Sequence, residues 1–99
     1  MTSMKKLNDS ELQDLLTQLP TWSLAAGKLH REYKFADFAQ AIEFINTAVP
    51  AIEKLDHHPE WSNVYNRVTV DLTTHDAGGI TTKDFELATL LEGISTKLA

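Results

Sequence analysis

The stretch DHHPEW, at residues 56–61, places two adjacent histidines, His57 and His58, directly before a proline. Histidine is the side chain whose ordinary pKa lies near neutral pH, so neighbouring imidazoles can serve one site as acid and base. Adjacent side chains point about 100° apart on a helix and to opposite sides of a strand, an arrangement poorly suited to chelating one ion. The spacing therefore indicates proton transfer more than metal binding by the pair itself.

A third histidine, His75, ends the strand-like segment SNVYNRVTVDLTTH and could complete a pocket of three imidazoles. Pro59 disfavours helical backbone at the residue before it, so a helix that precedes the pair should end by His57. The pair is thus predicted at a corner between a helix and a strand, where side chains are exposed on rigid supports. Taken alone, the pattern leaves a capping or solvated pair as the alternative.

Composition restricts the chemistry and the class of protein. The 99 residues contain no cysteine, which excludes disulfides, thiolate metal sites and a cysteine nucleophile. The net charge of −5, with scattered lysines and arginines, lacks the basic footprint of a nucleic-acid binder. No apolar run approaches the roughly 18 residues that span a bilayer, and the start MTSMKKLNDSELQ lacks an apolar signal-peptide stretch. We expect one cytoplasmic domain over residues 1–99.

Three segments have helical spacing and capping residues. Asn8 and Glu11 form a predicted capping box before a leucine stripe, and Asp37 and Gln40 stand in cap and third positions of a helix reaching about residue 56. Pro50 lies inside the second helix and should kink or restart it. A third capping box is predicted at Thr81 and Asp84, before the last helix. The apolar stripes predicted for the three helices are, in order, Leu12, Leu15, Leu16 and Leu19; Phe38, Ile42, Ile45, Val49 and Ile52; and Leu87, Leu90, Leu91, Ile94 and Leu98.

Strand-like alternation occurs on either side of the second helix. The segment TWSLAAGKLHREYKF predicts two short strands joined by a tight turn at Gly27. In the second region the even positions Val64, Val68, Val70 and Leu72 form the predicted buried face. Asn66 interrupts this alternation, which leaves one bent strand and two short strands both open. The order of elements predicts an α+β domain with helices on one face of an antiparallel sheet.

The segments EKLDHHPEWSNVYNRV and THDAGGITTKDFELA resemble the signature of the pterin-4a-carbinolamine dehydratases. The residues that match it keep their spacing over some thirty positions: Glu53, His57, His58, Pro59, Tyr65, His75 and Asp84. The resemblance implies a four-stranded antiparallel sheet with three helices on one face, in the order α-β-β-α-β-β-α. It further implies a homodimer or homotetramer and a site without metal or other cofactor.

The implied reaction is loss of water from a 4a-hydroxytetrahydropterin, the product left by an aromatic amino acid hydroxylase, to give the quinonoid dihydropterin. Carried over by position, His57 and His75 are the implied proton-transfer groups, and His58 binds and orients the pterin. The implied substrate contacts are Glu53, Asp56, Trp61, Thr74 and Asp84. Lys83 stands where some members of the family have arginine, which differs in offering a planar donor fork.

Each assignment has a structural alternative. Asp84 also fits the third residue of the Thr81 capping box, Trp61 fits a core or interface aromatic, and Glu53 fits a solvated helix carboxylate. His30 lies on the polar side of its strand and carries no functional assignment. Two other functions stay open: a metal enzyme in which one of the paired histidines joins His75 and Asp84 as ligands, and a protein-binding module of transcription-coactivator type.

Overall fold

The computed structural model describes residues 5–98, in which three helices and four strands follow the predicted α-β-β-α-β-β-α order. The elements are α1 (Asp9–Leu16), β1 (Ser23–Ala25), β2 (Lys28–Lys34), α2 (Phe38–Leu55), β3 (Glu60–Val64), β4 (Arg67–Leu72), a 3₁₀ turn (His75–Ala77) and α3 (Thr82–Leu98). The strands form one antiparallel sheet in the order β1-β2-β4-β3. The predicted α+β class is confirmed.

The helices begin at the predicted caps. The Asn8 side chain accepts from the Glu11 amide at 2.9 Å while the Glu11 carboxylate accepts from the Asn8 amide, which is the reciprocal capping box. Asp37 accepts from the amide of Gln40 at 2.8 Å at the start of α2. These bonds satisfy amides that have no partner inside the helix.

Helix α2 runs without interruption through Pro50, so the expected restart there is wrong. Pro50 lies on the exposed side of the helix, while Ala48 and Ile52 are buried on either side of it. A proline inside a helix costs about 3 kcal/mol. Burial of the apolar face of α2 offsets that cost, and the helix remains continuous up to the histidine pair.

Two-residue turns join both pairs of sequential strands. Ala26 and Gly27 connect β1 to β2 with φ values of 53° and 77°, the positive φ that tight hairpin turns require. Tyr65 and Asn66 connect β3 to β4, so the second region is two strands and not one bent strand. The pairing of Val64 with Arg67 turns Val64 away from the core, and it is 68% exposed; its predicted burial is wrong.

The core lies between one face of the sheet and the helices. That face carries buried side chains on the two central strands, and Phe44 of α2 packs over them at the centre of an aromatic cluster. The buried strand residues are Leu29, Tyr33, Val68, Val70 and Leu72. Alternate side chains, such as Lys28, His30 and Glu60, lie on the other face. No helix within residues 5–98 covers this face, which we call the open face. None of the helices within residues 5–98 has the length and apolar character needed to cross a membrane.

Candidate active site

The end of α2 fixes where the histidine pair lies. Asp56 follows the helix in the left-handed conformation, with φ 54° and ψ 44°, and its amide donates to the carbonyls of Glu53 and Ile52. Lys83, at the start of α3, donates from Nζ to the carbonyl of Leu55 at 2.9 Å. A cation at a helix C-terminus pairs favourably with the unsatisfied carbonyls. The corner that carries His57 is therefore held by the backbone and by α3.

His57 is tied to a buried carboxylate. Its Nε2 atom lies 2.5 Å from Oδ1 of Asp84, and its side chain is 12% exposed while that of Asp84 is fully buried. The other oxygen of Asp84 accepts from the Thr74 hydroxyl and the Thr81 amide, both at 2.9 Å. An ionised carboxylate only accepts, so Nε2 of His57 carries the proton and Nδ1 is left free. The arrangement fixes the orientation of the ring and the position of its hydrogen.

His75 meets a different carboxylate. It opens the 3₁₀ turn after β4, and its Nε2 lies 3.1 Å from Oε2 of Glu60. The other oxygen of Glu60 accepts from Nζ of Lys28 at 2.5 Å. The hydrogen bond from Lys28, aided by the one from His75, holds the pKa of Glu60 below its ordinary value. Glu60 is therefore a carboxylate acceptor at neutral pH.

His58 has the longest carboxylate contact of the three histidines. Its Nε2 lies 3.5 Å from Oε1 of Glu53, and both side chains are more than half exposed. Contacts of this length and exposure restrain a ring weakly. His58 is free to adjust to a ligand, whereas the ring of His57 is not.

The three imidazoles line one depression of about 310 Å³ beyond the end of β4. Its lining residues are Asp56, His57, His58, Thr73, Thr74, His75 and Asp76. A volume of this size lies at the lower end of the range for small-molecule pockets. The depression presents imidazoles from two separate segments of chain.

Three of the predicted site residues lie outside this lining. Asp84 lies behind His57, and Glu53 lies beside His58, so each could reach a ligand through its histidine. Trp61 instead packs edge-on against Phe44, with ring centroids 6.5 Å apart, on the core side of β3. The contacts that Trp61 makes in the structure are those of a core aromatic residue.

Sequence reasoning missed Glu60, Thr73 and Asp76. Each adjoins a predicted residue, but adjacency does not show which side chain turns toward the depression. Glu60 follows Pro59 directly and begins a strand, and strand alternation next to the core-facing Trp61 could have assigned it to the open face. The contact with His75 requires two segments to meet, which spacing along one chain does not reveal.

Asp84 and the histidines suggested as ligands of a two-histidine, one-carboxylate metal site make other contacts in the structure. Both oxygens of Asp84 are engaged, one by His57 and the other by Thr74 and Thr81. Within residues 5–98 no three histidine, cysteine, aspartate or glutamate side chains are grouped to hold a metal ion. The carboxylates contact single imidazoles instead.

The pattern of the pterin 4 alpha carbinolamine dehydratase family matches residues 5–94. The chain belongs to this family. A Solibacter usitatus relative that carries the provisional name pterin-4-alpha-carbinolamine dehydratase is 57% identical over 90 residues, covering 91% of this chain and 95% of that one. A Picosynechococcus relative with the same provisional name is 52% identical, covering 84% of this chain and 90% of its own.

A solved structure shares the fold as well as the sequence. It is a Brucella melitensis protein described as a transcriptional coactivator/pterin dehydratase, 41% identical, with a TM-score of 0.87. The match covers 91% of this chain and 98% of that one. The family identifies the chain as an enzyme of the hydro-lyase class, and the α+β architecture is the one that the solved relative has.

Proposed function

We propose that this dehydratase removes water from a 4a-hydroxytetrahydropterin by proton transfer between the substrate and two imidazoles, His57 and His75. The observation that carries the proposal is geometric: both rings line one depression, and each has Nε2 beside a carboxylate. The hydroxyl at C4a takes a proton and leaves as water, while N5 gives up its proton to form the C4a–N5 double bond. Atoms and charge balance with one acid and one base.

The two imidazoles reach the depression from different segments, which supports their acting on different atoms of the substrate. His57 follows α2 and its partner Asp84 comes from α3, on the helix side of the sheet. His75 follows β4 and its partner Glu60 comes from the open face. An acid and a base held on separate supports can approach the hydroxyl and N5 without competing for one proton.

The remaining predicted residues serve binding and orientation in this proposal. His58, exposed and loosely held, contacts the pterin ring, with Glu53 beside it. Asp56 and Thr74 both line the depression, where Asp56 offers a carboxylate to the hydrogen-bonding edge of a pterin. The Thr74 hydroxyl donates to Asp84, so Thr74 supports the site through that carboxylate. Asp84 acts on the substrate through His57, so it is a positioning residue.

The same proposal gives the enzyme its place in metabolism. A 4a-hydroxytetrahydropterin arises when an aromatic amino acid hydroxylase uses its pterin cofactor, and dehydration is the first step in regenerating that cofactor. We therefore propose a functional link to such a hydroxylase, in the cytoplasm, with the chain assembled as a homodimer or homotetramer.

The test supplies freshly generated 4a-hydroxytetrahydropterin and follows its ultraviolet decay with and without the protein. The His57→Ala, His75→Ala double variant should lose about 10²- to 10⁴-fold in kcat, the usual contribution of acid and base groups. His30→Ala is the matched control, because His30 pairs with Asp71 on the open face and does not line the depression. Full activity in the double variant would contradict the proposal.

A further inference from the structure

Glu60 links the depression to the open face of the sheet. It begins β3 beside Asp71 of β4, and its two oxygens contact different side chains. Oε2 lies 3.1 Å from Nε2 of His75, and Oε1 lies 2.5 Å from Nζ of Lys28. The carboxylate therefore spans from the start of β2 to the turn after β4.

The contacts fix which nitrogen of His75 is available. A carboxylate accepts only, so its neighbour Nε2 must carry the hydrogen, and the lone pair of the neutral ring lies on Nδ1. The side chain of His75 is 79% exposed, so few packing contacts hold the ring. Without Glu60, the imidazole would be free to rotate and to exchange tautomers in solvent.

Lys28 restrains Glu60 in turn. It lies at the start of β2, next to the Ala26–Gly27 turn, and its hydrogen bond occupies the oxygen that does not contact His75. Because Lys28 already restrains the carboxylate, Glu60 loses less conformational freedom when its other oxygen binds the His75 imidazole. The three side chains form a chain of contacts that starts on the strands and ends at the depression.

We propose that Glu60 is a positioning residue that holds the His75 imidazole with Nδ1 free for proton transfer, and that Lys28 braces it. This inference rests on the proposed function, because His75 acts on the substrate there. It gives each of the two reactive imidazoles its own carboxylate: Asp84, buried, for His57, and Glu60, exposed, for His75. The site is then held from both faces of the sheet.

Glu60→Gln keeps the shape of the side chain and removes its charge. We expect kcat to fall about two- to fivefold, the range that an exposed ion pair supports, with KM unchanged, because the lost interaction acts in the transition state. In a His75→Gln background the same substitution should have no further effect, whereas in a His58→Gln background the full effect should remain. Glu32→Gln, also on the open face, is the matched control and should leave kcat unchanged.

A second measurement reports on the ring itself. Nitrogen NMR of the neutral His75 imidazole should show the Nε2–H tautomer in the wild-type protein and a larger Nδ1–H share in Glu60→Gln. Lys28→Met, which keeps the apolar stem, should move the tautomer ratio in the same direction by a smaller amount.

The outcomes separate the two proposals. A wild-type protein without dehydratase activity overturns the proposed function and this inference together. An active wild-type protein whose kcat and His75 tautomer are unaffected by Glu60→Gln overturns the positioning role alone. An effect of Glu60→Gln that persists in the His75→Gln background also overturns it, because Glu60 would then act by another route.

Discussion

The carboxylate of Asp84 uses both oxygens on groups that surround His57. Oδ1 contacts the imidazole, and Oδ2 accepts from Thr74 and Thr81. In Asp84→Asn one oxygen remains, and if it stays with the two threonines, the amide donor faces Nε2 and forces His57 into the other tautomer. We expect kcat to fall at least about tenfold and the free energy of unfolding to fall by about 1–3 kcal/mol. Saturating kinetics and urea denaturation measure the two effects.

Thr74→Val is the comparison for Asp84→Asn. It removes one donor to Oδ2 and leaves the contact between Asp84 and His57 in place. The free energy of unfolding should again fall by about 1 kcal/mol, since a buried hydrogen bond is lost, while kcat falls less than in Asp84→Asn. Equal losses of kcat in both variants would contradict a specific role for the carboxylate.

The sequence offered two interpretations of Asp84, a helix cap and a site residue, and the contacts include both. Its Oδ2 accepts from the Thr81 amide as a third-position cap residue does, while its Oδ1 faces His57. A motif read along the chain could single out the three histidines as candidates, because their type and spacing carry the information. It could not find Glu60, whose partner His75 lies 15 residues away across a strand pair.

At the scale of elements, α2 and α3 meet where Lys83 donates to the Leu55 carbonyl. Lys83→Met removes both the donor and the favourable charge at the helix end, which is worth about 0.3–1 kcal/mol. We expect the free energy of unfolding to fall by that amount and KM for the pterin to rise, because the corner that carries His57 and His58 loosens. Lys83→Arg, which keeps the charge, should recover most of the loss. Urea denaturation and steady-state kinetics provide the measurements, and an unchanged KM in Lys83→Met would contradict this role.

Local signals predicted most of the elements. Caps such as Asn8 and Asp37 and the glycine turn at Gly27 act within a few residues, so their effect is visible in the sequence. The two predictions that were wrong, a restart of α2 at Pro50 and burial of Val64, depend on packing. Burial of its neighbours keeps α2 continuous through Pro50, and the two-residue turn after Val64 reverses which face that side chain joins.

At the scale of the whole molecule, one carboxylate joins the second half of α3 to the β1–β2 hairpin and the residues just before it. Oε1 of Glu92 accepts from Trp22 Nε1 at 2.9 Å, Arg31 Nε at 3.0 Å, the Tyr33 hydroxyl at 2.7 Å and, more distantly, the Thr21 hydroxyl at 3.2 Å. Burial raises the pKa of Glu92, but the bonds from Tyr33 and Arg31 outweigh it, so the pKa lies below the ordinary value of 4.5. The ionised carboxylate therefore stabilises the fold.

This network gives stability a defined dependence on pH. A carboxyl whose pKa is lower in the folded than in the unfolded state contributes stability above the unfolded value, and that contribution is lost as pH falls through the folded one. Glu92→Gln should lower the free energy of unfolding at pH 7 by about 1–3 kcal/mol, and the gap from wild type should narrow below pH 4.5. Urea denaturation from pH 7 to pH 3 measures the gap, with the exposed Glu86→Gln on the same helix as control. Because Glu92 lies eight positions along α3 from Asp84, Glu92→Gln should retain the kcat of the wild type at pH 7. A difference in the free energy of unfolding that stays constant from pH 7 to pH 3 would show that the charge of Glu92 does not contribute to stability.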